Sequence, residues 1–124
     1  MRFLLVFLLL PAFSYAQSEE SRMLFLSINS KRADLNIPSL SYESVKQTSV
    51  DSRAIRVGID NKAMKQDECD CKTESVFSAS TLRELLSIAI DPAHEWHFLE
   101  RNEQNATVSV VTLDDKIYAV VRTY

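Results

Sequence analysis

The only two histidines of the chain lie three residues apart, in His94-Glu95-Trp96-His97. A H-E-x-x-H pattern on a helix turns two imidazoles to one face for zinc and supplies glutamate as general base. Here the spacing is one residue short, the segment follows Pro92, and no third ligand is evident. The simpler expectation is that Trp96 and Phe98 pack, while a histidine caps or bonds nearby backbone.

Cys69 and Cys71, in Glu68-Cys-Asp-Cys71, are the other reactive pair. A bridge across one residue is strained and closes too small a loop to add much stability. The alternatives are intermolecular bridges, free thiols, or a metal site that two thiolates alone leave incomplete, since zinc takes four ligands. A thiol nucleophile needs an activating histidine and a reducing setting. The chain has one glycine, Gly58, which excludes both a G-x-S-x-G elbow and a glycine-rich phosphate loop. The acidic group Asp67-Glu68-Asp70 lacks the ligand pattern of a calcium loop and reads as a solvated face.

Export governs how these residues are read. Arg2 precedes an unbroken apolar run from Phe3 to Leu10, Pro11 breaks it, and Ser14-Tyr15-Ala16 offers small residues to a signal peptidase. A spanning helix needs about 20 apolar residues, more than this run holds. Residues 1–16 are therefore expected to be a signal peptide cleaved after Ala16, and residues 17–124 one domain. Loss of Arg2 takes the net charge from −3 to −4, which gives no electrostatic reason to bind nucleic acid or an anionic membrane. Asn105-Ala106-Thr107 is an acceptor sequence for N-glycosylation in the secretory pathway.

The elements that must position these groups follow from periodicity. Leu24, Ile28 and Leu35 predict a helix over residues 19–35, stopped by Asn36-Ile37-Pro38. A second helix is predicted from Glu43 to about Arg56, with Val45, Thr48 or Ser49, Ser52 and Ile55 inward. Asp60 to Lys72 is polar and loop-like, and Thr73 to Ala79 holds a short strand around Val76 and Phe77. Thr81-x-x-Glu84 is a capping box opening a third helix, with Leu82, Leu85, Leu86 and Ala89 buried and Asp91-Pro92 as the stop. Thr107 to Leu113 and Lys116 to Thr123 form a terminal hairpin about Asp114-Asp115, in which Tyr118 and Tyr124 pack on the sheet. With so little glycine, positive-φ turns must use Asn, Asp and Ser. Helices first and a hairpin last make an α+β domain.

Three stretches in order resemble the CAP (SCP) superfamily of secreted proteins. Leu24 to Arg32 with Ile37-Pro38-Ser-Leu40-Ser-Tyr42 is similar to that family's opening helix, its N-x-x-R and the P-x-L-x-aromatic that follows. Thr73-Glu74-Ser-Val76 stands where the family has G-E-N-I, and Asp91-Pro92-Ala93-His94-Glu-Trp-His-Phe98-Leu99 is similar to S-P-G-H-x-x-N-I-L. The resemblance implies three helices on a small, mainly antiparallel sheet in an α-β-α sandwich. It also implies that Glu74 and His94 are remnants of the family cleft, paired across it. The family's first cleft histidine is absent, its second glutamate has no secure match, Thr73 and Ala93 replace glycines, and the usual disulfides are missing.

The expectation is a secreted, non-enzymatic CAP-like protein that binds an extracellular protein or lipid, with no cofactor and no catalytic residue. The alternatives are a metal-dependent hydrolase using a Glu74/His94 cleft, or a small secreted inhibitor of another α+β family.

Overall fold

A computed structural model describes residues 17–60 and 69–124. The expected signal peptide, and Asp67 and Glu68 of the acidic group, lie outside the described residues.

Helix α1 (Glu19–Asp34) begins where the Ser18 hydroxyl accepts from the Ser21 amide, with Glu19 and Glu20 in the first turn and Lys31 and Arg32 in the last. Those charges oppose the helix dipole at both ends. It ends at Asn36 with φ 60°, the Asn36 amide donating to Ala33 and the Ile37 amide to Arg32. This is a Schellman stop with asparagine in the place usually given to glycine. Strand β1 (Ser41–Tyr42) follows, then a 3-10 turn (Ser44–Lys46), helix α2 (Gln47–Asp60), strand β2 (Thr73–Ala79) and helix α3 (Leu82–Ile90). Two 3-10 turns, Pro92–His94 and His97–Leu99, lead to β3 (Asn105–Leu113) and β4 (Lys116–Thr123).

The strands form one sheet ordered β1-β3-β4-β2, with β1 parallel to β3 and the other pairs antiparallel. The terminal hairpin thus supplies the two central strands. Its turn holds Asp114 at φ 51° and Asp115 at φ 62°, the handedness that a two-residue hairpin loop requires. Side chains alternate across the sheet. On one face Phe77, Ala79, Val108, Val110 and Val121 pack against Leu24 and Ile28 of α1 and Leu85 and Ala89 of α3. On the other, Tyr118 and Val120 meet Val50, Ala54 and Val57 of α2. Each fully buried Leu, Ile or Val contributes about 1.5–3 kcal/mol. The result is the expected α+β, three-layer arrangement.

The predicted inner face of the second helix is wrong. Val45 is 82% exposed and lies before α2, in the 3-10 turn, while Ile55 is 44% exposed. The buried face is Gln47, Val50, Arg53, Ala54, Val57 and Gly58. Polar residues sit inward because each has a partner: Gln47 Nε2 donates to the Val108 carbonyl at 3.0 Å and to Asp51 at 2.8 Å. Gly58 lets the helix approach the hairpin, since a Cβ there would run into Leu113 Cδ1 and come within 3.2 Å of Tyr118.

Candidate functional site

Glu74 stands on β2 opposite Arg122 of β4. Its Oε1 accepts from Arg53 Nε and Nη2, each at 2.8 Å, and its Oε2 from Arg122 Nε at 3.1 Å. The Arg53 and Glu74 side chains are each 4% exposed. Both carboxylate oxygens are thus occupied by charge-assisted hydrogen bonds in a desolvated setting, where such bonds are strongest. Glu74 shares its sheet face with Val76, which packs on the α2 cluster.

His94 lies on the other side. It ends the 3-10 turn that Asp91 caps through its side chain and the Ala93 amide. Its ring stacks on Trp96 at 5.1 Å, and Trp96 rests on Phe77 and Phe98. Phe77 belongs to the α1–α3 core, three residues along β2 from Glu74 and on the opposite face by strand alternation. The two groups expected to pair across a cleft are therefore separated by the sheet, and they do not fit a zinc ion held between them.

The histidine pair does not converge either. His94 Nε2 is 3.9 Å from Asp91 Oδ2, whereas His97 Nδ1 is 3.0 Å from Glu100 Oε1. Glu95 at φ 52° breaks the chain between their two turns, so no helical face collects them. Trp96 packs as expected and donates Nε1–H to the Ile88 carbonyl at 2.9 Å.

This segment instead builds an open groove of about 470 Å³, lined by Leu35, Pro92, Trp96 and Leu99 with Glu95, His97 and Glu100. One buried cation holds its outer wall. Arg32 of α1 donates Nε–H to Pro38 and its two terminal nitrogens to the carbonyls of Phe98, Glu100 and Glu103, at 2.7–2.9 Å. One turn earlier, Asn29 holds Leu40 through both its amide oxygen and nitrogen. The N-x-x-R spacing is thus a pair of clamps on passing backbone. Their signal was in the sequence as a motif without a stated role; Arg53 and Arg122 carried none.

Cys69 and Cys71 are bonded to each other, with Cα atoms 5.1 Å apart. Asp70 between them pairs with Lys46 at 2.6 Å. Asn105, the glycosylation acceptor, opens β3 half-buried, and its partner Thr107 is fully buried, donating to the Glu43 carbonyl at 2.6 Å. No helix among the described residues is long and apolar enough to cross a membrane.

The architecture is that of CAP-like proteins. No known family profile and no curated protein matches the chain by sequence. Among solved structures, an outer surface protein from Borrelia burgdorferi is similar at TM-score 0.66 and 14% identity, covering 86% of this chain and 92% of that one. NaASP2, a CAP-family protein solved with Zn2+, is similar at 0.58 and 13%, covering 86% and 80%. The CAP-like hookworm platelet inhibitor is similar at 0.55 and 11%, covering 89% and 71%.

Proposed function

We propose that the chain is a secreted, non-enzymatic CAP-like binding protein whose ligand, an apolar group of an extracellular protein or lipid, enters the Trp96 groove. The groove carries the reading. Its volume of about 470 Å³ falls in the range of small-ligand sites, which are concave and mostly apolar with few polar groups. Of its three titratable rim groups, His97 and Glu100 are paired with each other, and beside Trp96 His94 lies 3.9 Å from Asp91. The separation of Glu74 from His94 supports binding over metal-assisted hydrolysis. Export is supported by the Arg2-to-Ala16 leader pattern, and by two neighbours named for an outer surface and for inhibiting platelets.

Trp96 is the only tryptophan, so its fluorescence reports on the groove directly. Titration with a long-chain fatty acid or a sterol should shift its emission, and Leu99→Asp should abolish the shift. No response to either lipid or to a panel of extracellular proteins sinks the groove as a site. Calorimetry with zinc on the unreduced protein tests the enzymatic alternative: tight one-to-one binding lost in His94→Ala overturns the non-enzymatic reading.

A further inference from the structure

The Sγ atoms of Cys69 and Cys71 and a carboxylate oxygen of Glu74 all lie within 4.8 Å of one another; the two cysteines are half-buried and the Glu74 side chain is almost wholly so. Bonded together, the sulfurs offer no anionic donor. Once reduced, they become two thiols beside a third, already oriented oxygen donor. Zinc bound at roughly 2.3 Å to sulfur and 2.0–2.2 Å to oxygen sets tetrahedral donor separations of about 3.5–3.8 Å. Reaching that set closes the sulfur–carboxylate distances by about an ångström and parts the sulfurs, about 2.0 Å apart when bonded, by nearly two, and such movements fall on a short surface turn.

We propose that the reduced protein binds a thiophilic divalent ion, of the zinc or cadmium class, through Cys69 Sγ, Cys71 Sγ and Glu74, with solvent in the fourth position. A phosphine gives two electrons to the bridge and takes an oxygen from water, whose two protons complete the two thiols. The ion then displaces both thiol protons, so the cluster keeps the net charge it had as a dithiol. Two nitrogens of Arg53 hold Oε1 of Glu74 and one of Arg122 holds Oε2, so a lone pair on Oε2 is the one left for a metal. Their grip fixes the carboxylate as outer-shell partners fix metal ligands. The Lys46–Asp70 pair anchors the residue between the cysteines. The site is gated by redox state: closed as a disulfide, open as a dithiol. It lies across the sheet from the Trp96 groove, so the two can fail independently.

The test reduces the secreted chain with a phosphine, titrates it with cadmium, and follows sulfur-to-cadmium charge-transfer absorption, then measures zinc affinity against a chromophoric chelator. One equivalent should bind to reduced protein and none to unreduced. Cys69→Ser and Cys71→Ser should each remove most of the absorption, and Glu74→Gln should weaken zinc by about 10–100-fold. Glu74→Gln touches two buried arginines, so its fold is checked by circular dichroism; the serine variants lie in a turn outside the core and keep the test decisive if it unfolds. Equal affinity in a Cys69→Ser/Cys71→Ser double variant, or in folded Glu74→Gln, overturns the proposal.

Discussion

The guanidinium of Arg32 donates from Nη1 to the carbonyl of Phe98 at 2.7 Å, across 66 residues of chain. That bond ties the last turn of α1 to the segment that follows α3, and with its three companions it fixes the backbone that walls the Trp96 groove. The side chain is fully buried. Burial lowers its pKa from the ordinary value, and the charge of Glu103 opposes that shift. Desolvation of a buried cation offsets much of what its hydrogen bonds to the carbonyls contribute.

Replacing Arg32 leaves several carbonyls without a donor. Each unsatisfied buried group costs about 1–3 kcal/mol, and the losses do not add in full. Arg32→Ala is expected to lose about 3–5 kcal/mol in urea denaturation, the range for breaking buried charged networks. Arg32→Lys should recover only part, because an ammonium cannot reproduce the planar fork. A loss below about 1 kcal/mol for the alanine variant, the low end for one orphaned group, contradicts this account.

Leu24 and Ile28 of α1, Leu85 and Ala89 of α3 and the alternating hairpin were legible in the sequence because hydrophobic burial explains them, and the cap at Thr81 because its hydrogen bond is local. Leu35, expected on the same stripe, lies past α1 and is exposed. Helix α2 was not legible. Its buried face carries Gln47 and Arg53, whose partners Val108 and Glu74 are distant in sequence. A stripe of Val45 and Ile55 therefore looked more apolar than the face that packs. For the same reason the position of the hairpin at the centre of the sheet was hidden. Strand alternation, invisible without register, turns Glu74 away from the Phe77 face on which Trp96 and His94 stack.

Asn36, Asp114 and Asp115 hold positive φ without glycine, as does Glu95 between the two 3-10 turns. Left-handed backbone costs a non-glycine residue on the order of 1 kcal/mol. Changing Asp114-Asp115 to Asn-Gly should raise stability by about 1 kcal/mol, and Asn36→Gly by roughly half that. Asn36→Val should lower it by at least as much. Thermal melting of the three variants checks the order, and a hairpin variant no more stable than the parent contradicts the turn geometry.

Stability should fall at alkaline pH. Burial raises the pKa of both Tyr42 and Tyr124 above the ordinary 10.0, with Asp51 adding to the shift at Tyr42. The unfolded chain ionises first, so their contribution is complete below pH 10.0 and is lost as pH rises through the higher folded values. Tyr42 also donates to Gln47 Oε1 at 2.7 Å, a bond that ionisation removes. Tyr42→Phe should be less stable at neutral pH and show a shallower alkaline decline. An identical pH profile in that variant rules the mechanism out.

Glu74 is the strongest test of whether the buried charges serve structure. It sits between Arg53 and Arg122, joining α2 to β2 and β4, and no oxygen of it lacks a donor. Glu74→Ala removes the anion that separates two buried guanidiniums and should cost about 3–5 kcal/mol. Replacing the whole set with Glu74→Leu, Arg53→Met and Arg122→Met should cost far less, because apolar side chains of similar volume remove the desolvation penalty along with the attraction. Denaturation midpoints of the single and triple variants decide it. If the triple variant is as unstable as Glu74→Ala, the three ions contribute net stability as a group, and a purely geometric role for them is wrong.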